Sequence, residues 1–345
     1  MGSYRKQMKV TIKDVASYAG VSIKTVSRVT NNEPSVKPST VDKVNSAITA
    51  LNYQPNISAR NLAASHSFAI GFVYDNPNAY YIIDMQNGIL TACNEKNYEL
   101  IIHPCDSTAE DVSDQIISLI KRSRLAGVVL TPPMSEDPQL LSALDEVNAN
   151  YVCIIAGNEE SEKPKLSVLI NDKFGAKQLT QHLINLNHQH IAFLCGDIRH
   201  KSSIERLEGY RQALKENNIK LDPDFIISGN YSFESGIAGT EQLVTMRHKP
   251  TAIVASNDEM AAGALFAARL AGINIPNELS IVGFENSPFS RQTLPKLTTV
   301  DQPLKQIAKV ATEMLINNKH LSAQKYRIFT PNVVLRDSSV TLTKK

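Results

Sequence analysis

From residue 68 onward, short apolar runs alternate with amphipathic helical patterns, and this alternation most limits the folds open to the chain. Four runs have the length and branched apolar content of buried parallel strands: 68–74, 99–103, 127–130 and 151–155. A second series follows at 167–170, 190–194, 225–227, 252–255 and 279–284. Two successive series of strands and helices predict two open, doubly wound parallel sheets. The segment 297–303 and the helix after it are expected to return to the first sheet. Ligands bind such sheets at the carboxyl ends of their strands.

The first 66 residues are basic and follow a different pattern. They contain nine Lys and Arg against three Asp and Glu, a net charge of +6, which leaves the other 279 residues at −4. A small basic module on a mildly acidic body is typical of a nucleic-acid-binding protein with an attached control domain. The module therefore favours DNA binding.

Apolar stripes in this module predict three short helices. Thr11 and Asp14 have the spacing of a capping box for the first, and Gly20 is expected to end it. Ser22 is placed to cap a second helix that runs to about residue 31, and a third is expected to begin at Ser39 with Asp42 as capping partner.

The second helix has one apolar and one polar side. Val26 and Val29 are expected to face inward, and four residues share the opposite side: Ile23, Lys24, Ser27 and Arg28. Two short helices, a glycine-containing turn and a polar, basic outer face fit the major groove of B-DNA. The alternative is a helical hairpin used for oligomerisation, but an interface helix would expose apolar residues instead.

These residues resemble the DNA-binding head of the LacI/GalR family of repressors. The similar segments are TIKDVASYAGVSIKTVSRVTNN at 11–32, NYQPN at 52–56 and ARNLA at 59–63, and the resemblance continues through nearly the whole chain. It implies an all-α helix-turn-helix head and an α/β periplasmic-binding-protein-like body of two doubly wound parallel-sheet lobes. The expected bounds are a head at 1–55, a hinge helix at 56–66, a first lobe at 67–168 with 298–328, and a second lobe at 169–297 with 329–342.

The expected DNA contacts follow from chemistry and from the resemblance. Arg28 can donate two parallel hydrogen bonds to guanine, and by resemblance Ile23 and Lys24 determine which operator is recognised. The resemblance also implies that Leu62 wedges into the minor groove when the marginal hinge helix folds on DNA, although the segment could be a plain linker. The remaining predicted contacts are Thr11, Ser22, Thr25, Ser27, Lys37, Thr40, Asn56 and Ala59.

The body is expected to bind an effector in the cleft between its lobes. The resemblance matches Arg206 to an effector-binding arginine, whereas spacing alone also allows a structural arginine paired with Glu205 or Glu208. Glu285 stands where the family usually has aspartate, and its additional methylene implies a different sugar or a different placement.

Six further residues are candidate effector contacts: Tyr80, Tyr81, His200, Ser202, Tyr231 and Asn257. Aromatic faces stack on sugar C–H surfaces, but ordinary core packing is an alternative for each tyrosine. Asn257 can both donate and accept hydrogen bonds, and Asp258 is expected to be a helix N-cap rather than a contact.

Other classes of function are not indicated. The sequence contains no G-x-G-x-x-G, P-loop, G-x-S-x-G or H-E-x-x-H motif, so neither a cofactor nor a metal is expected. The four cysteines lack CxxC spacing and are expected to be reduced core thiols. The sequence has neither a secretory signal nor eighteen consecutive apolar residues, which predicts a cytoplasmic protein without a membrane partner.

Together these patterns predict a transcription regulator, specifically a repressor, whose operator affinity is switched by a small-molecule effector, most simply a mono- or oligosaccharide. One short recognition helix makes few contacts, so a homodimer on a pseudo-palindromic operator is expected, with the resemblance placing dimer contacts near 84–94 and 112–121. The alternatives are a transport-associated sugar-binding protein and a sugar-modifying enzyme that uses Glu285 and Asp258 as acid and base. The head module argues against the first, and the lack of a catalytic motif argues against the second.

Overall fold

The computed structural model of the chain describes residues 10–30, 35–53, 68–76, 78–318 and 325–343. The chain divides into two compact units, Met1–Phe68 and Ala69–Lys345, each with its own hydrophobic core. Within the described ranges, no helix combines the length and the apolar content needed to cross a membrane.

Three helices form the N-terminal unit: α1 Ile12–Ala19, α2 Ile23–Thr30 and α3 Pro38–Ala50. Their apolar stripes meet in one small core, whose buried members are Val15, Ala16, Val26, Val29, Val44 and Ala47. Gly20 ends α1 at a φ of 66°, in the left-handed region that glycine adopts without a steric penalty. The predicted helix-turn-helix is therefore confirmed.

The caps predicted for the first two helices are confirmed. The Asp14 carboxylate accepts hydrogen bonds from the backbone amide and the hydroxyl of Thr11, each at 2.7 Å. The Ser22 hydroxyl accepts a hydrogen bond from the backbone amide of Thr25 at 3.1 Å. Both helices thus satisfy backbone donors that have no partner within the helix.

The predicted start of the third helix is wrong. Helix α3 begins at Pro38, with Lys37 at the N-cap, so Ser39 already lies inside the first turn. Proline suits the first helical position because its φ is preset and because the missing N–H would lack an intrahelical partner there. This preference overrides the Ser39–Asp42 capping pattern.

The first lobe of the body is a six-stranded parallel sheet. Its strands are β1 Ala69–Tyr74, β2 Glu99–Pro104, β3 Gly127–Leu130, β4 Tyr151–Ala156, β5 Leu166–Ile170 and β11 Lys325–Phe329, in the order β11-β5-β4-β3-β1-β2. Helices α4 (Ala79–Lys96) and α12 (Leu304–Ile316) cover one face. Helices α5 (Val112–Arg122) and α6 (Pro138–Glu146) cover the other.

The second lobe is a four-stranded parallel sheet. Its strands are β6 Ile191–Leu194, β7 Ile226–Ile227, β8 Ala252–Ala255 and β9 Ser280–Val282, in the order β7-β6-β8-β9. Helices α7 (Asp172–Asn185) and α8 (Lys201–Glu216) cover one face, and α9 (Phe233–Thr245) and α10 (Asp258–Leu270) cover the other. A short helix, α11 (Pro288–Gln292), follows β9. The predicted fold class is confirmed.

The strand at 167–170 differs from the prediction, which counted it in the second series. Strand β5 pairs in parallel with β4, with Cys153 opposite Ser167. Val168 and Ile170 pack in one core of the first lobe and Leu169 packs in the other. The loop between β4 and β5 contains no helix. In the sequence, this interruption of the alternating strands and helices resembles a domain boundary, which is why β5 was counted in the second series.

A second difference concerns where the chain returns to the first lobe. Strand β10 (Thr299–Asp301) pairs antiparallel with β12 (Asn332–Val334). Val300 packs in a core of the second lobe, so the segment that was expected to join the first lobe at 298 stays with the second lobe through Asp301. Helix α12 then packs on the first sheet.

Candidate functional site

The N-terminal unit presents the outer face of α2 as the sequence predicts. Ile23, Lys24 and Arg28 are exposed, and Ser27 is half-buried beside them. Val26 and Val29 fix this orientation because both are buried against α1 and α3. Helix α2 therefore offers solvent a basic side chain at each end.

The other predicted DNA contacts are spread around this face. The hydroxyls of Ser22 and Thr25 are 2.8 Å apart at the start of α2, and the Thr11 hydroxyl donates to Asp14. Lys37 is exposed at the N-cap of α3, where its carbonyl accepts a hydrogen bond from Thr40 at 2.9 Å. Three predicted contacts lie outside the described residues: Asn56, Ala59 and Leu62.

The body contains a cavity of about 230 Å³ between its two lobes. Every strand from β1 to β9 contributes lining residues at or after its carboxyl end, as expected for parallel sheets. Seven of the eight predicted effector contacts line this cavity: Tyr81, His200, Ser202, Arg206, Tyr231, Asn257 and Glu285. The structure thus gathers residues that are separated by up to 204 positions in the sequence.

Arg206 is the centre of a buried polar cluster. Its Nε donates to Asp172 Oδ1 at 2.9 Å, one Nη donates to the Ser256 carbonyl, and the other donates to Gln302 Oε1 at 3.4 Å. Gln302 also donates to Asp172 Oδ1 at 2.7 Å. Neither Glu205 nor Glu208 is a partner of Arg206, so the structural pairing that spacing suggested does not form. The guanidinium also lies 4.1 Å from the ring centroid of Phe284.

Opposing effects act on the charges in this cluster. Burial alone would lower the pKa of the Arg206 guanidinium, but the nearby Asp172, Tyr231 and Glu285 raise it, so the group stays charged. Burial raises the pKa of Asp172, while Arg206 and Gln302 oppose that shift. A buried cation with a carboxylate partner is stable only when both remain paired.

Glu285 extends into the cavity from a strained backbone position. Its φ of 100° lies in a region that side-chain-bearing residues rarely adopt, and such strain often marks a functional position. One carboxylate oxygen lies 3.8 Å from Arg206 Nη1. Burial raises the pKa of Glu285 to about 8, and Arg206 only partly counteracts this.

Tyr231 connects the loop after β7 to the start of α8. It adopts a φ of 70°, and its hydroxyl contacts the hydroxyl oxygens of Ser202, at 3.0 Å, and Ser203. The His200 ring packs edge-on against it, with centroids 5.7 Å apart, and burial lowers the pKa of His200. These contacts fix a polar, aromatic wall in which His200 is a neutral imidazole at neutral pH.

The helix cap expected at Asp258 is formed by Asn257 instead. Asn257 is the N-cap of α10: its Oδ1 accepts from the Met260 amide at 2.8 Å, and its Nδ2 donates to the Tyr231 carbonyl. Asp258 is fully buried and accepts from Thr299 Oγ1 at 2.6 Å, while burial raises its pKa to about 7. Asn257 still lines the cavity, but both ends of its amide already have protein partners.

The side chains of the two adjacent tyrosines of the first lobe, Tyr80 and Tyr81, lie in different surroundings. Tyr81 lines the cavity, and its amide donates to the Asn78 side chain that caps α4. Tyr80 does not line it; its ring packs edge-on against Phe289 of α11 at 5.5 Å. Since successive helix residues point about 100° apart, only one of the pair faces the cleft.

Several lining residues were not predicted from the sequence. Asp75, Asp172, Asp197, Arg199 and Gln302 all line the cavity. The first three each follow the end of a predicted strand, and that position in a doubly wound sheet is the signal that identifies them.

The thiols and histidines show no chemistry of their own. All four cysteines are free, and burial raises the pKa of Cys93 to about 12 and that of Cys195 to about 11. The His188 ring bonds to the Thr251 hydroxyl and to the Val340 carbonyl. In the part of the chain that the structure describes, no group of His, Cys, Asp and Glu could hold a metal ion.

Comparison with known proteins identifies both units. Residues 11–56 match the model of bacterial regulatory proteins of the lacI family, and 180–339 match a periplasmic binding protein-like domain. Catabolite control protein A of Priestia megaterium is 33% identical over 89% of this chain and 92% of its own length. The chain belongs to the lacI family. The repressor PurR of Vibrio atlanticus is 32% identical over 96% of this chain and 99% of its own.

Solved structures of lacI-family proteins match almost the whole chain. A lac repressor dimer bound to operator and the anti-inducer ONPF has a TM-score of 0.77 at 26% identity, over 96% of this chain and 99% of that one. A complex of the regulator CelR with cellobiose has a TM-score of 0.72 at 25% identity, over 96% and 100%. This lacI-family chain is thus a DNA-binding transcriptional regulator, and its relatives are regulators, not enzymes.

Proposed function

We propose that the protein is a repressor that binds a pseudo-palindromic operator as a homodimer, and that a small polyhydroxylated molecule, most simply a sugar, regulates this binding from the cleft. The observation that carries the proposal is the buried Arg206, held by Asp172 and Gln302 in a cavity lined by both lobes. Pockets with a few convergent polar groups and shifted pKa values are typical of ligand sites.

The cleft has the chemistry needed to bind vicinal hydroxyls. Three of the five N–H groups of Arg206 are donated to protein acceptors, which leaves two for a ligand. The Glu285 side chain, 3.8 Å from Arg206 Nη1, has a carboxyl oxygen that can accept a hydrogen bond from a hydroxyl. Tyr81 and Tyr231 supply flat surfaces for the C–H face of a sugar ring. The structural neighbour in complex with cellobiose makes a carbohydrate the simplest candidate.

The head supplies the contacts that an operator requires. Arg28 and Lys24 lie on the exposed side of α2, where an arginine distinguishes guanine by two parallel hydrogen bonds and Ile23 reaches a base edge. Of the other predicted DNA contacts, those proposed to bind phosphates are Thr25, Ser27, Lys37, Thr40 and Asn56, and Thr11 and Ser22 lie at the helix starts. The hinge helix at 56–66, with Ala59 and Leu62, completes the proposed interface.

A homodimer through the first lobe agrees with its exposed apolar side chains. Ile83 is 49% exposed and Leu90 is 43% exposed, seven residues apart on one side of α4. This is the helix that the resemblance places at the dimer contact, together with α5. The operator-bound lac repressor to which the chain is similar is itself a dimer.

The test replaces Arg206 with lysine in the full-length protein. Lysine keeps the charge opposite Asp172 but lacks the planar fork, so we expect the variant to bind its own promoter normally and to lose the response to the effector. The effector is found first by a thermal-shift screen of sugars, and promoter binding is followed by fluorescence anisotropy. The matched control is Arg211→Lys, which alters an exposed arginine on the same helix, paired with Glu208 at 2.9 Å. A normal effector response in Arg206→Lys would contradict the proposal.

A further inference from the structure

Helix α8 begins at the cleft without a side-chain cap from its own lobe. Its N-cap residue is His200, whose side chain caps no amide in the described part of the chain. The other three long helices of the second lobe are capped from within: α7 by Asn171, α9 by Ser232 and α10 by Asn257. The first N–H groups of a helix have no intrahelical partner, so the start of α8 needs an acceptor from elsewhere.

The first lobe supplies that acceptor. Glu136 Oε2 accepts a hydrogen bond at 3.0 Å from the backbone amide of Lys201, the first residue of α8. Glu136 ends a single 3₁₀ turn, Met134–Glu136, in which Met134 and Ser135 are buried. The Ser135 hydroxyl donates to the Ile154 carbonyl of β4 at 2.8 Å. The carboxylate therefore reaches the second lobe from a turn that is fixed in the first.

Lys201 is also the chief partner of the Glu136 carboxylate. Burial raises the pKa of Glu136, and the two largest effects that oppose this rise come from the amide and the ammonium group of Lys201. The second carboxylate oxygen, Oε1, is buried and has no hydrogen-bond partner among the described residues. A movement that separated the lobes would therefore take the cap from α8 and the chief donor from Glu136.

We infer that Glu136 is a positioning residue for the effector site: it caps α8 from the opposite lobe and so orders the turn that carries His200 and Ser202 when the cleft is closed. The inference rests on the proposed function, because those two residues are expected effector contacts. The Ser202 hydroxyl contacts that of Tyr231 at 3.0 Å, and Arg206 follows one turn later on the same helix. The cap and a ligand bound to this turn favour the same closed arrangement, so loss of the cap speeds ligand release.

The first test needs no ligand. Hydrogen exchange of the full-length protein, followed by mass spectrometry, measures the protection of the backbone amides at 201–205. We expect Glu136→Ala to speed this exchange several-fold, and Glu136→Gln, which keeps an oxygen acceptor for the Lys201 amide, to recover most of the protection. The matched control is Asp137→Ala, because Asp137 is the adjacent carboxylate and caps α6 in its own lobe through the Gln139 amide at 2.9 Å. This control should speed exchange at the start of α6 and leave that of α8 unchanged.

The second test measures ligand binding by surface plasmon resonance, which separates association from dissociation rates. Glucose, galactose and cellobiose serve as probes. For each sugar that binds the unaltered protein, we expect Glu136→Ala to bind about three- to tenfold more weakly, the effect of losing a helix cap, through faster dissociation. Glu136→Gln should recover most of the affinity, and Asp137→Ala should retain all of it.

The possible failures are distinguishable. Unchanged exchange at 201–205 in Glu136→Ala would overturn the inference, whatever the sugars do. A sugar affinity that Glu136→Ala lowers no more than Asp137→Ala does, or lowers through slower association alone, would also overturn it. If neither these sugars nor those of the thermal-shift screen bind the unaltered protein, the proposed function fails, and the exchange result still decides whether Glu136 caps α8 across the cleft.

Discussion

Replacing Arg206 by alanine tests whether its guanidinium forms a buried ion pair with Asp172. The Arg206 side chain is 5% exposed and that of Asp172 is 2% exposed, and their ion pair is 2.9 Å long. Removing one partner of a buried pair leaves an uncompensated charge, which costs about 3–5 kcal/mol. That is a large fraction of the roughly 5–15 kcal/mol that stabilises a typical domain. We therefore expect Arg206→Ala to lose effector binding and much of the stability of the body.

Urea denaturation followed by far-ultraviolet circular dichroism measures this loss, since the chain contains no tryptophan. Two comparisons make the result specific. Arg211→Ala breaks an exposed ion pair of the same length and should cost less than about 1 kcal/mol. Adding Asp172→Asn to Arg206→Ala removes the orphaned charge and should recover part of the stability. If Arg206→Ala lowers the free energy of unfolding no more than Arg211→Ala does, the Arg206 guanidinium is solvated and does not form a buried ion pair with Asp172.

Two further predictions concern the hinge and the pH dependence. Leu62→Ala should leave the fold intact and weaken operator binding at fixed salt, because the substitution would remove the proposed minor-groove wedge. Unchanged operator affinity in a titration would contradict that proposed role of Leu62. Burial raises the pKa of Glu285 from 4.5 to about 8, so the folded state favours the protonated carboxyl group. The contribution of that proton to the free energy of unfolding is lost as the pH rises from 4.5 to about 8. Glutamine does not titrate, so the urea midpoint of Glu285→Gln should rise relative to that of the unaltered protein over this pH range. A difference between the two midpoints that stays constant with pH would contradict the raised pKa of Glu285.

The sequence was sufficient wherever a local pattern determines the outcome. The stripes of α1 and α2, the left-handed Gly20 and the cap at Ser22 depend on residues a few positions apart, and all agree with the structure. Arg206 and Glu285 reach the same cavity because each lies in a loop or helix that follows a strand, and parallel strands end at one edge.

Predictions from the sequence were incomplete or wrong where the contact depends on residues far apart in the chain or on the rotation of a helix about its axis. Asp172 and Gln302 are 130 positions apart and meet only because the chain after β10 packs beside the start of α7 and Arg206. Asn257 replaces Asp258 as the N-cap because α10 begins one residue earlier than a cap at Asp258 requires. Tyr80 leaves the cleft because the cap at Asn78 sets the phase of α4. No single-sequence pattern carries that information.

Contacts that cross the cleft give the proposed effector a route by which it would influence the rest of the body. Glu136 of the first lobe accepts a hydrogen bond at 3.0 Å from the amide of Lys201, the first residue of α8, and α8 also carries Arg206. A carboxylate at a helix N-terminus stabilises it by roughly 0.3–1 kcal/mol. A movement that opened the cleft would break this hydrogen bond and the packing of the Tyr80 ring against Phe289. A ligand that bridges the lobes at Arg206 adds its binding energy to the same closed arrangement, so it can shift the equilibrium between closed and open forms by the difference in its affinity for them.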